Sequence, residues 1–113
     1  NKENFPGSFK SHYSPEKKLF LGDIEILANK YQNKRIGILC FDRYYDFVKE
    51  ENQIILSKNS SLLEASKNLY SSLYKLDNMK NIDIILTTLV EDTLIGKTIN
   101  NRLIKSAEND EKY

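Results

Sequence analysis

Arg35-Ile36-Gly37-Ile38-Leu39-Cys40-Phe41 is a continuous apolar run with no alternation. Side chains of a strand point alternately to opposite faces, so a strand with water on one side alternates in polarity. A run without alternation predicts a central strand covered on both faces, as parallel sheets require. The flanking segments supply the cover. Lys18-Leu19-Phe20-Leu21 reads as a short strand closed by Gly22. Asp23 then offers an N-cap oxygen, and Ile24, Leu27, Ala28 and Tyr31 share one helical face. Residues 42–50 are mixed, and Tyr44, Tyr45, Phe47 and Val48 predict a short helix or an irregular packed turn. Residues 53–56 read as a brief strand.

The strongest helix signal covers residues 61–76. Ser61-Leu62-Leu63-Glu64 is a capping box, in which hydroxyl and carboxylate satisfy reciprocal end amides. Leu62, Ala65, Leu69, Leu73 and Leu76 form the buried stripe, broadened by Tyr70. Residues 82–88 predict a fourth strand, whose alternating Asp83 leaves both a central and a marginal place open. After a polar turn at Glu91-Asp92, Ile99, Leu103 and Ala107 give the inner face of a last helix, and residues 109–113 read as a solvated tail. This alternating order predicts a three-layer α/β domain with a mostly parallel sheet of four to five strands and helices on both faces.

Composition removes several functions. In 113 residues, 17 basic and 16 acidic side chains leave a formal charge of +1 without any run of five like charges. No electrostatic footprint for nucleic acid is expected. No apolar stretch approaches the ~18 residues of a membrane span, and no signal sequence is visible. The lone Cys40 within an apolar run fits a packed thiol in a reducing, cytoplasmic setting. With one His and one Cys, neither a metal site nor a nucleophile pair can be assembled. No catalytic or metal-ligating residue is therefore assigned. The opening on Asn1 rather than Met reads as excision from a longer protein.

Before the first strand stands Pro6-Gly7-Ser8-Phe9-Lys10-Ser11-His12-Tyr13-Ser14-Pro15. Proline fixes φ and biases its predecessor toward extended geometry. The segment therefore predicts an extended arm over residues 1–17 whose aromatic side chains lie against something. The body follows over 18–108.

Other candidates have bland competitors. Gly96-Lys97-Thr98 ahead of a helix has the ending of a phosphate-binding loop, but that motif needs Gly at position 91, which is Glu91. An anion site at the helix start near Gly96, or a Gly that permits close helix–sheet packing, remain as readings. Arg102 and Lys105 could dock against an acidic surface or be solvated. Asp42, at the expected carboxyl end of the central strand, stands where such sheets hold ligands, though a turn-forming Asp explains it equally.

Three blocks carry a resemblance. The arm is similar to the interdomain linker of long-form threonylcarbamoyl-AMP synthases, which carries Pro-Gly, four variable positions, then His-Tyr-Ala/Ser-Pro. Residues 65–77 resemble a helix of the domain that follows that linker, matching its Ala, Asn-Leu-aromatic and Leu-Asp positions. Residues 95–107 match its Leu-Gly, Asn-Arg-Leu and Lys-Ala pattern through Gly96, Asn101, Arg102 and Leu103. The resemblance implies a Rossmann-like carboxy-terminal domain accompanying, in cis, a YrdC-like catalytic domain. That enzyme makes threonylcarbamoyl-AMP from threonine, bicarbonate and ATP with magnesium, for threonylcarbamoyladenosine in tRNA. No cofactor is expected on this chain itself. The resemblance further implies that Pro6, Gly7, His12, Tyr13 and Pro15 cover substrate in the intact enzyme; Gly96, Asn101 and Arg102 stand as candidates for binding an anion or docking a domain. The family's Met-Lys-Tyr after Pro-Gly is replaced here by Ser8-Phe9-Lys10. Alternatives are a nucleotide- or small-molecule-binding regulatory module and an oligomerisation or docking domain.

Overall fold

The computed structural model describes residues 14–111. In chain order they form β1 (Lys18–Leu21), α1 (Ile24–Lys30), β2 (Ile36–Cys40), β3 (Gln53–Ile55), α2 (Leu62–Asp77), β4 (Ile84–Thr87) and α3 (Leu94–Glu111), with a 3-10 turn at Glu50–Asn52 before β3. The sheet order is β1-β4-β2-β3 and every pairing is parallel. Alternate side chains serve two cores. Leu19, Leu39 and Ile85 pack with Leu69, Leu73 and Leu76 of α2 and with Ile99 and Leu103 of α3. Ile38, Cys40, Ile84 and Leu86 face the other way, onto Ile24 and the half-buried Leu27, Ala28 and Tyr31. α1 thus covers one face and α2 with α3 the other. The three layers expected from the unalternating run are present, in a Rossmann-like arrangement.

β2 lies between β4 and β3 and is buried over its last four residues. Gly37 is required inside it, because a Cβ there would overlap the Cδ1 of Ile82. β4 is also central, which decides the place that Asp83 left open. That acid sits just before the strand instead of within it. Its carboxylate accepts from the Arg35 backbone N–H at 2.9 Å and from Nη2 at 2.9 Å, while the Asp83 N–H donates to the Arg35 carbonyl at 2.6 Å. The charge therefore joins the entrances of β2 and β4 at the sheet's edge, where water still reaches it.

The helix starts obey capping chemistry, with one departure. Asp23 accepts from the Ile26 amide at 3.1 Å, and Ser61 accepts from the Glu64 amide at 3.1 Å; each such cap contributes about 1 kcal/mol. The reciprocal half of the capping box does not form. The Glu64 carboxylate accepts instead from the Ser57 hydroxyl, whose oxygen takes the Ser61 N–H at 2.9 Å. A buried serine is thus interposed between the two partners. At the other end of the chain α3 runs to Glu111, so residues 109–111 continue the helix rather than beginning a tail.

The connection from β2 to β3 has no α-helix to fill it, only the 3-10 turn. Gln53 substitutes: its Oε1 accepts from the Tyr45 N–H at 2.9 Å and the Cys40 thiol at 3.3 Å, and its Nε2 donates to the carbonyls of Tyr45 and Val48 at 2.8 and 2.7 Å. Residues 42–49 thereby become the irregular packed turn, with Tyr45 and Val48 against the α1-side core.

The Arg35–Asp83 pair gives the first prediction. Hydrogen bonds from Arg35 hold the Asp83 carboxyl at about 2, below its ordinary 3.8. A depressed folded-state value means stability that is present above the unfolded value and lost as pH falls from about 4 toward about 2. Denaturant midpoints measured across that window should fall more steeply for the native chain than for Asp83→Asn; equal slopes would refute the linkage.

Candidate functional site

Two regions of the described chain gather the sequence candidates. The first is where the arm joins the body. Pro15 is buried, and the N–H groups of Glu16 and Lys17 donate to the Asp77 carboxylate at 3.0 and 2.9 Å. An acid in the last turn of a helix opposes the helix dipole. Here two amides and the Lys17 ammonium, 2.6 Å from the Asp77 carbonyl oxygen, offset that repulsion. The arm's direction is therefore set at the C-terminal end of α2. Pro6, Gly7, His12 and Tyr13 lie outside the described residues.

The second region is the outer stripe of α3. Ile99, Leu103 and Ser106 turn inward onto the core. Thr98, Asn101, Arg102, Ile104 and Lys105 line a hollow of about 330 Å³ on the opposite side. Of the three candidates assigned to anion binding or docking, the fold brings Asn101 and Arg102 together there and leaves Gly96 elsewhere. The Arg102 guanidinium lies 5.7 Å from the centre of the Tyr70 ring on α2. Burial raises the Tyr70 phenol, and the neighbouring Arg102 opposes that rise.

Gly96 belongs to the first turn of α3. Its N–H donates to the Thr93 hydroxyl at 3.1 Å, and a Cβ on it would overlap the backbone carbonyl of Glu91. The close approach that glycine permits is thus to the preceding turn and not to the sheet. Val90 is fixed in turn by Asn100, which accepts from its N–H at 2.8 Å and donates to its carbonyl at 3.0 Å.

At the carboxyl edge of the sheet Asp42 is already engaged. It accepts from the Ser60 hydroxyl at 2.9 Å, with the Arg43 Nε 3.5 Å away. Ser60 has φ of 59°, a left-handed conformation uncommon for a residue with a Cβ, and the bond to Asp42 supports it. The Thr87 hydroxyl donates to the Leu39 carbonyl at 2.9 Å. Burial pushes the Cys40 thiol up to about 12, so it stays protonated. Among the described residues no three His, Cys, Asp or Glu side chains converge to hold a metal ion, and no helix is long and apolar enough to cross a membrane.

Reading the sequence alone missed the roles of Asp77, Gln53 and Asn100. Asp77 was visible as the Asp of the Leu-Asp position in the resembling helix. Asn100 was overshadowed by its neighbour Asn101 in the doublet. Nothing local marks Gln53, because its partners lie in a loop without periodicity.

The fold and these sites define a Rossmann-like domain whose carboxyl-edge polar groups are largely paired with one another and whose N-terminal arm is anchored to a helix end. The chain belongs to the family of the C-terminal domain of threonylcarbamoyl-AMP synthase, whose model matches residues 1–108. Its fold is similar to a solved structure, P. abyssi Sua5 in complex with L-threonine, with a TM-score of 0.70 at 24% identity over 88% of this chain. The match covers 30% of that protein's chain. No curated protein matches the sequence.

Because the Gly96 Cα meets backbone and not a movable side chain, Gly96→Ala should destabilise the domain by about 1–3 kcal/mol. A urea midpoint unchanged from the native chain would show that the Glu91 turn yields freely.

Proposed function

We propose that this domain supports the synthesis of threonylcarbamoyl-AMP by holding the arm at a fixed point, from which it reaches over the active site of a YrdC-like catalytic domain in the same chain. In this reading ATP, magnesium, bicarbonate and threonine are handled by the catalytic domain. The product serves threonylcarbamoyladenosine formation in tRNA, in a reducing compartment such as the cytoplasm. Pro6, Gly7, His12 and Tyr13 act on the far side of the anchor, and Pro15 belongs to the anchor itself.

The observation that carries the reading is the double amide clamp on Asp77. An arm that only connected two bodies would need no such fixation. An arm that must close repeatedly over an acyl-adenylate gains from a rigid root, since closure excludes water and small misplacements are costly in rate. The threonine complex of the solved relative is consistent with this reading. So is the pairing of polar groups at the carboxyl edge, where a ligand of this domain's own would otherwise be sought. The regulatory nucleotide-binding alternative has no comparable feature in its favour.

In a two-domain synthase ending in this sequence, Asp77→Ala should slow threonine- and ATP-dependent pyrophosphate release by about tenfold. Asp77→Asn should recover part of the loss through its remaining acceptor oxygen. The 113-residue chain alone should release none. Turnover by the lone chain, or an Asp77→Ala enzyme of full activity, would overturn the assignment.

A further inference from the structure

We draw no further inference here: the strongest candidate, the hollow along the outer stripe of α3 lined by Thr98, Asn101, Arg102, Ile104 and Lys105, carries none because nothing in the structure shows what covers it.

Discussion

All four residues of β4 are buried, and the strand is hydrogen-bonded along both edges, to β1 and to β2. With β2, it is one of the two central strands of the described sheet. Ile85 and Leu86 are fully inaccessible and point into opposite cores. Truncation of one such side chain typically costs about 2–5 kcal/mol, against a total stability of about 5–15 kcal/mol for a domain. The strand therefore serves both cores, as β2 does, and the charges of Arg35 and Asp83 close its entrance.

The connections depend on single polar side chains. Gln53 holds the β2–β3 crossover, Asn100 holds the loop after β4, Asp77 holds the incoming arm, and Ser57 sits inside the cap of α2. Each takes up backbone groups that a loop would leave exposed or unpaired, and buried polar groups without partners are costly. The arm, in consequence, emerges from a fixed point on a rigid element. That is the property the proposed role needs.

Most of the architecture was legible because hydrophobic periodicity is a local signal. The unalternating run at β2, the i, i+3, i+4 spacings of α1 and α2, and the Ser61 and Asp23 caps all specified their elements and faces. Asp83 left the place of β4 open because a one-residue offset decides whether an acid is inside a strand or at its mouth, and its partner Arg35 is 48 residues away. The reciprocal capping bond failed for a related reason: Ser57 competes for Glu64 from outside the four-residue motif. In the candidate site, helical spacing paired Arg102 with Lys105, and Asn101 entered through the resembling Asn-Arg-Leu motif. Gly96 did not follow, since what it needs space for is the carbonyl of Glu91, and no periodicity announces a turn folding back on its own helix.

One margin of the sheet is β3, a strand of three residues entered through a 3-10 turn. Open sheet margins invite copies of a chain to stack by continuing the ladder, and brevity is one of the ways proteins discourage it. With so few rungs on offer, this margin gives a second ladder little to continue.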